Sequence, residues 1–521
     1  MVFNPDLVAL SRFQFALTAL FHFTFVPITL GVTWLLVIME GLYLKTRDVM
    51  YQDMVKFWGK LLAINVAVGV ASGITLEFEF GMNWSYFSHL IGDSFGPILA
   101  IEGITAFMLE ATMFGLFFFG WNRLTAKQHF LVTCAMALGA SLSIVNIISA
   151  NSWMQHPIAT QFDYVHLLVR LKSILALYHN PLAQVRIGHV AAGGFIAGSI
   201  FVMGISAYYL LKGRDRLFAY RSFLIAAVFA SVALLTSFYF GDENGVLDAK
   251  IEPEKLAAIE AQWQTQTAPA AWIAFAIPDE KNQTNHFEVK IPYMLSFIVT
   301  KSLTGTVTGM QPLIARNEKK VRDGLSAYRS VLAIRQDQAA PKDYQRVEAG
   351  SENIGYALLL KRYQSDLSQP VSEQMIQQAA RDSIPHVALC FFAFRIMIAI
   401  WGVLAFLTFR GLYLACRQRL HQSPIFFRLC ILAIPLPIAA AWFGWMLSEI
   451  GRQPWIIHSI LPTFMAVSSL PAASVITTLT LYILFYSGLL VVELWLMFKI
   501  GRKGPSSLGL KRYHHEQEQS V

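Results

Sequence analysis

Long apolar stretches recur along this 521-residue chain and constrain its fold more than any other feature. Each is close to the roughly 20 residues that a helix needs to cross a bilayer. Hydrophobic residues make up 55% of the chain and charged residues only 14%, unlike a soluble domain. We predict an all-α polytopic membrane protein with about nine transmembrane helices, near residues 14–40, 57–80, 97–120, 128–150, 188–211, 218–240, 387–409, 425–449 and 471–498.

The distribution of Lys and Arg predicts the orientation of these helices. The short loops on one side, together with the C-terminal tail, hold 18 of these residues, and the alternate set holds 5. Cytoplasmic loops carry the excess of positive charge, so we expect the N-terminus outside and the C-terminus in the cytoplasm. This bias accounts for most of the net charge of +8, and no nucleic-acid partner is expected.

The same pattern divides the chain into four parts. Residues 1–240 hold six helices, 387–500 hold three, and 501–521 form a cytoplasmic tail. Residues 241–386, called the long loop below, are predicted to be extracytoplasmic and hold 16 of the 41 basic residues. In the long loop, DAKIEPEKLAAIEAQW predicts a charged amphipathic helix, and RNEKKVRDGLSAYRSVLAIRQDQ also has helical period. So long a segment either binds a substrate or partner, or is a solvated insertion.

Two carboxylates lie within the third apolar stretch, FGPILAIEGITAFMLEATMFGLFFFG. Burying Glu102 or Glu110 at the centre of a membrane costs about 2.5–3.5 kcal/mol on insertion scales. On a regular α-helix their separation is about 80° around the axis and about 12 Å along it, so both can face one neighbouring helix. The pair indicates a proton relay, an ion site or a cofactor contact, or else two carboxylates hydrogen-bonded within a bundle.

Four side chains able to bind a metal occur in or beside the apolar stretches: His22, His189, Met397 and Glu449. A His–Met pair is a familiar axial ligation of low-spin haem, and a single His or carboxylate suits a haem with an open side. Each residue also has an ordinary alternative. The histidines could be hydrogen-bonded packing residues, Met397 a core residue, and Glu449 the ion-pair partner of Arg452.

Arg395 favours a porphyrin over a bare metal ion. It lies within an apolar helix, two residues before Met397, and a haem propionate would neutralise its guanidinium through paired hydrogen bonds. Arg12 and Arg452, at helix ends, could do the same, and the alternative for Arg395 is a side chain that extends to the membrane surface. The residues alone thus indicate a redox membrane protein with buried haem and a carboxylate path, and they do not identify a substrate.

Several blocks in order resemble subunit I of cytochrome bd quinol oxidase along nearly the whole chain. They are SRFQFALTALFHF, FWGKLLAINVAVGVASGITLEFEFGMNW, AIEGITAFMLEATMFGLFFFGW, EKLAAIEAQW and EIGRQPW, with His189 and Arg395-Ile396-Met397 between them. The length of 241–386 is similar to that of the family branch with a long quinol-binding loop. The resemblance implies the same nine-helix topology with the N-terminus outside.

The resemblance also implies roles for individual residues. His189 and Met397 look like the axial ligands of low-spin haem b. His22 and Glu449 look like the ligands of two high-spin haems; we assign haem d to His22 and haem b to Glu449, with the reverse order left open. Further residues implied are the haem-d neighbour Glu102, the cytoplasmic proton-path residue Glu110, the quinol-oxidising Lys255 and Glu260, and the haem-vicinity residues Arg12, Arg395, Trp445 and Arg452.

The implied enzyme is a quinol:O2 oxidoreductase of the bacterial cytoplasmic membrane. It would oxidise quinol at the outer face, reduce O2 to water using two haems b and one haem d, and take protons from the cytoplasm. Such an enzyme is electrogenic without a pump. The implied partners are quinol, O2, membrane lipid, a second large subunit and a single-helix small subunit.

Two other functions compete with this one. An ion-coupled transporter would use Glu102 and Glu110, but it gives no reason for Arg395 beside Met397, and no inverted repeat is apparent. A haem b subunit that passes electrons onward without oxygen chemistry would leave His22 and Glu449 without a purpose.

Overall fold

The computed structural model describes residues 5–163, 168–420 and 423–510. Within these ranges nine helical spans are long and apolar enough to cross a membrane, which confirms the predicted number and the all-α membrane class. The spans are α1 (Pro5–Thr46), α2 (Val49–Met82), α3 and α4 (Ser85–Ile101, Met108–Phe119), α5 (Ala126–Gln155), α7 (Pro181–Lys212), α8 (Arg216–Ile251), α15 (Val387–Cys416), α16 and α17 (Pro424–Leu432, Leu436–Gly451) and α18 (Ala472–Lys503).

The third span is not a regular helix. A π-helical segment, Glu102–Phe107, joins α3 to α4, so the premise of an uninterrupted α-helix between Glu102 and Glu110 is wrong. Single π turns insert an extra residue and occur often at functional sites. The angle of about 80° derived from regular geometry therefore does not apply to this pair.

Helices α1 and α7 approach each other through glycines. A Cβ added to Gly31 would lie 2.3 Å from the carbonyl oxygen of Gly194, and one on Gly198 would lie 2.5 Å from the carbonyl carbon of Gly31. Small residues let helix backbones come into direct contact inside a membrane. This contact fixes α1 and α7, which carry His22 and His189, against each other.

The helix predicted over DAKIEPEKLAAIEAQW is divided in two. Helix α8 runs through the predicted boundary at residue 240 and ends at Ile251, and α9 spans Pro253–Ile259. The backbone of Glu252 is not helical, with φ −128° and ψ 61°. Proline disfavours helical geometry in the residue before it and lacks an N–H to continue the ladder, so Pro253 starts a new helix.

The rest of the long loop is a folded unit. The predicted helix near residue 316 is present as α11 (Met310–Arg335). An antiparallel hairpin of β3 (Trp272–Asp279) and β4 (Thr284–Ile291) was not predicted. Tyr356, Leu360 and Trp455 belong to an apolar core formed largely by this unit. The other elements are α6 (Ile174–Tyr178), α10 (Met294–Thr300), α11 (Met310–Arg335), α12 (Pro341–Gly350), α13 (Ile354–Leu358), α14 (Glu373–Arg381), and the paired strands β1 (Thr160–Asp163) with β2 (Leu168–Leu171), β3 (Trp272–Asp279) with β4 (Thr284–Ile291), and β5 (Trp455–Ile457) with β6 (Leu461–Pro462).

Candidate cofactor and proton-transfer site

His189 lies near the start of α7, at the end of the bundle that carries the long loop. Its Nδ1 is 3.1 Å from the backbone carbonyl oxygen of Ser237 on α8. A carbonyl can only accept, so Nδ1 donates and Nε2 keeps its lone pair. This is how metal-binding histidines are usually oriented. A Cβ on Gly241 would lie 3.1 Å from Cε1 of His189, so a glycine keeps the space beside the ring open.

The helix that carries Met397 contacts Ser237 of α8, the same residue that His189 contacts. Trp401, one helical turn further along α15, donates from Nε1 to Oγ of Ser237 at 3.0 Å. Ser237 therefore contacts both the ring of His189 and the helix of Met397. A Cβ on Gly444 of α17 would lie 3.2 Å from Sδ of Met397. Again a glycine adjoins the candidate ligand.

His22 has the same arrangement as His189. Its Nδ1 is 3.1 Å from Oγ of Ser72 on α2, and that hydroxyl gives its own proton to the carbonyl of Gly69 at 2.9 Å. Ser72 must then accept from His22, which leaves Nε2 free to bind a metal. A Cβ on Gly73 would approach Cε1 of His22 to 3.1 Å.

Glu449 lies in the last turn of α17, and both of its carboxylate oxygens are engaged. Oε1 accepts from Asn151 at 3.0 Å, and Oε2 forms the ion pair with Arg452 that the sequence offered as the ordinary alternative. Trp445, one turn earlier on α17, stacks on Phe23 of α1 with ring centroids 4.4 Å apart. The stack brings the helix of Glu449 beside the helix of His22.

The arginines differ in how many donors remain available for a propionate. Within the described ranges, Nε and Nη1 of buried Arg452 and Nη1 of buried Arg186 have no hydrogen-bond partner. Arg395 instead donates to Glu260 at 2.8 Å and to the carbonyl of Ile259 at 2.5 Å, so its guanidinium holds the long loop. Arg12 is exposed. The guanidinium groups of Arg452 and Arg186 are ion-paired through Nη2, to Glu449 and Asp248 respectively, and burying their remaining N–H donors without a partner is costly. These unpartnered donors fit a carboxylate-bearing group such as haem.

Glu102 and Glu110 both contact α5. Ser143 donates to Oε1 of Glu102 at 2.8 Å, and a Cβ on Gly139, one turn away, would lie 3.2 Å from Cβ of Glu110. The two residues therefore lie along a single neighbouring helix, although the helix that carries them is interrupted.

Lys255 lies on α9, and Glu260 directly follows that helix. Their side chains contact different membrane spans. Lys255 is buried, with Nζ 3.3 Å from Oε1 of Gln155, and a Cβ on Gly451 would lie 2.9 Å from its Cγ. Glu260 is buried against Arg395 on α15. Burial raises the pKa of Glu260, an effect that the charge of Arg395 opposes.

Sequence reasoning missed two sets of buried polar residues. Arg186 precedes His189 by three residues, a spacing that could have marked it as a neighbour on one helix face. His129 contacts Glu40 at 2.6 Å through Nδ1 and the carbonyl of Phe117 at 2.9 Å through Nε2. Glu40 and His129 are 89 residues apart, and no local pattern connects them. With both nitrogens engaged, His129 has none left for a metal.

Fold and site together define a multi-pass membrane protein whose helix bundle presents nitrogen, sulfur and carboxylate ligands and whose long loop is docked on one end. A model of the cytochrome bd terminal oxidase subunit I family matches residues 10–505. The chain belongs to this family, whose members contain haem. The transporter alternative has no such support.

Similar proteins agree over nearly the full length. The chain is 42% identical over 503 residues to cytochrome bd-II ubiquinol oxidase subunit 1 of Escherichia coli strain K12, covering 96% of this chain and 98% of that protein. It is 34% identical over 498 residues to cytochrome bd ubiquinol oxidase subunit 1 of Bacillus subtilis strain 168, covering 95% and 94%. The bd oxidase structure from Geobacillus thermodenitrificans shares the fold, with a TM-score of 0.78, 23% identity and coverage of 97% of this chain and 100% of the other.

Proposed function

We propose that this chain is the catalytic subunit of a terminal oxidase that transfers electrons from quinol to O2 in a bacterial cytoplasmic membrane. One observation carries the proposal: His22 and His189 each commit Nδ1 as a donor and keep Nε2 available inside an apolar bundle. The similar proteins from E. coli and B. subtilis are named ubiquinol oxidases. The charge bias of the loops favours an outside N-terminus and a cytoplasmic C-terminus.

Three haems would be held by the candidate ligands. His189 and Met397 would hold low-spin haem b, His22 haem d and Glu449 the high-spin haem b. When bound, these groups would carry single electrons and provide the iron at which O2 is reduced. The free donors of Arg186 and Arg452 would pair with propionates.

Quinol would be oxidised at the loop end of the bundle. Helix α9 brings an ammonium group, Lys255, to α17 and a carboxyl group, Glu260, to α15, which carries Met397. The ammonium would donate a hydrogen bond to a quinol oxygen in place of one of its contacts to Gln155, Asp248 and Glu252. A carboxyl whose pKa is raised by burial would be suited to exchanging protons with quinol.

Protons for water formation would come from the cytoplasm through Glu110 and then Glu102. Their shared contact with α5, and the Ser143 hydroxyl on Glu102, support a path along this helix. Consuming protons inside and releasing quinol protons outside generates a membrane potential without pumping. A second large subunit and a single-helix subunit would complete the enzyme.

Ligand variants test the haem assignment. We expect His189→Ala and Met397→Ala each to remove the low-spin haem b signal from the dithionite-reduced spectrum and to leave the haem d signal in place. His179→Gln is the matched control, because His179 is an exposed histidine whose Nδ1 contacts only its own helix turn at 2.8 Å. Retention of the low-spin signal in both ligand variants would show that this pair is wrong.

A further inference from the structure

A buried charged cluster surrounds Lys255 at the loop end of the bundle. Nζ of Lys255 lies 3.2 Å from Glu252 and 3.3 Å from Asp248. Nη2 of Arg186, on the helix of His189, lies 3.3 Å from Asp248 and 3.8 Å from Glu252. Charges this deeply buried are retained only when they are paired or when they have a role. The cluster connects the candidate quinol residue to the candidate haem ligand.

One oxygen of the cluster is not paired. Glu252 is 2% exposed, and its Oε1 has no hydrogen-bond partner in the part of the chain that the structure describes. Nδ1 of His458 lies 3.9 Å from this oxygen. Lys255, Glu252 and His458 line a common small cavity.

His458 lies between this cavity and the surface. Its side chain is 17% exposed, and its backbone N–H is fixed by the carbonyl of Met154 at 2.8 Å. Burial lowers the pKa of His458, an effect that the carboxylates of Glu252 and Glu254 oppose. The charged or titratable groups around it are Glu252, Glu254, Lys255, Lys320, Arg452 and His156. The lowered pKa favours the neutral ring, which can accept a proton.

We propose that Glu252 and His458 form the relay that carries a quinol proton to the outside. The relay rests on the proposed function. The O–H bond of a quinol held near Lys255 breaks, and the proton binds the free carboxylate oxygen of Glu252. That proton then passes to the imidazole of His458 and on to water. For each quinol converted to quinone, two electrons leave one after the other, to the haem that His189 and Met397 would hold, and two protons leave, at least one of them by this route.

Glu260 is less suited to this part of the release. Its carboxylate is held by the Arg395 guanidinium at 2.8 Å, on the side of α9 that faces α15. Glu252 has a free oxygen and an imidazole neighbour, His458, that reaches solvent. The two carboxyl groups could thus serve the two protons of one quinol.

Variants of the relay are tested by anaerobic stopped-flow reduction of low-spin haem by quinol, measured from about pH 6 to pH 8. We expect Glu252→Gln and His458→Gln each to slow reduction about tenfold or more and to flatten its rise with pH. The double variant should be no slower than the slower single variant, because both residues act in one sequence. His179→Gln should match the parent protein, and dithionite-reduced spectra should be equal in all.

A chemical readout independent of turnover measures the proton affinity of His458. Diethyl pyrocarbonate modifies neutral imidazole, and mass spectrometry follows modification of His458 against pH. The Glu252→Gln variant lacks a negative charge that favours the protonated ring of His458. The midpoint pH of His458 modification should therefore be lower in this variant than in the parent protein.

Either the kinetic measurement or the chemical modification can overturn the proposed relay. Parental rates and pH profiles in Glu252→Gln and His458→Gln, or an unmoved modification midpoint in Glu252→Gln, contradict it. If the His458→Gln variant fails to assemble, the haem-reduction rate and the His458 modification midpoint of Glu252→Gln decide whether the relay is correct. A parent protein that does not oxidise quinol overturns the proposed function, whereas parent-like variants of an active oxidase overturn only the relay.

Discussion

At the scale of single residues, the hydrogen bonds of His22 and His189 decide which ring nitrogen is available to a haem iron. The sequence indicated His22 and His189, but not which ring nitrogen is available. Their acceptors, Ser72 Oγ and the carbonyl of Ser237, are 50 and 48 residues away along the chain. Such partners depend on helix packing, which no local pattern specifies.

Ser72 gives a direct test of this orientation. We expect Ser72→Ala to weaken haem retention at His22 by about 10-fold to 100-fold, the usual effect of losing a residue that orients a metal ligand. Haem content after gradual detergent washing, followed by the haem d absorbance, measures the effect. The low-spin haem b signal should stay at the parental level.

Ser231→Ala is the matched control for that variant. Ser231 is also a buried helical serine, and its hydroxyl bonds only within its own helix, to the carbonyl of Ala227 at 2.8 Å. Equal haem d loss in the two variants would mean that Ser72 does not orient a ligand.

At the scale of helices, the sequence predicted the spans well and their irregularities poorly. Hydropathy over about 20 residues reports where a helix crosses the membrane, and all nine spans are present. The π segment from Glu102 is not visible in hydropathy, because it depends on backbone hydrogen bonds. Pro253 is visible in the sequence and could have predicted a helix boundary, because it divides the helix predicted over the start of the long loop.

The third span carries a prediction about proton supply. We expect Glu110→Ala to lower steady-state oxygen consumption by roughly tenfold or more, with haem content largely intact, because the cytoplasmic path would lose a proton carrier. Oxygen-electrode rates normalised to haem measure this.

Glu493 provides the control for Glu110. Glu493 is another carboxylate within a span, buried on α18, and Glu493→Ala should leave the normalised rate near the parental value. An unchanged rate in Glu110→Ala would remove this residue from the path.

At the scale of the whole molecule, the long loop was the least predictable part. Its helix over α11 was evident from periodicity, whereas the apolar core around Tyr356 and Trp455 requires contacts between distant segments. The hairpin β3–β4 is formed by neighbouring segments, and the sequence pattern did not predict it. Arg395 joins the long loop to the bundle through Glu260. The sequence presented Arg395 as a propionate partner, and only the structure indicates that it holds the long loop.

The optical spectrum of the detergent-purified complex tests the central claim most directly, together with pyridine haemochrome analysis of its iron porphyrins. We expect reduced bands of haem b and of a chlorin-type haem d, a shift of the haem d band with carbon monoxide, and two haems b for each haem d. A folded, intact complex with no stoichiometric haem would contradict the account.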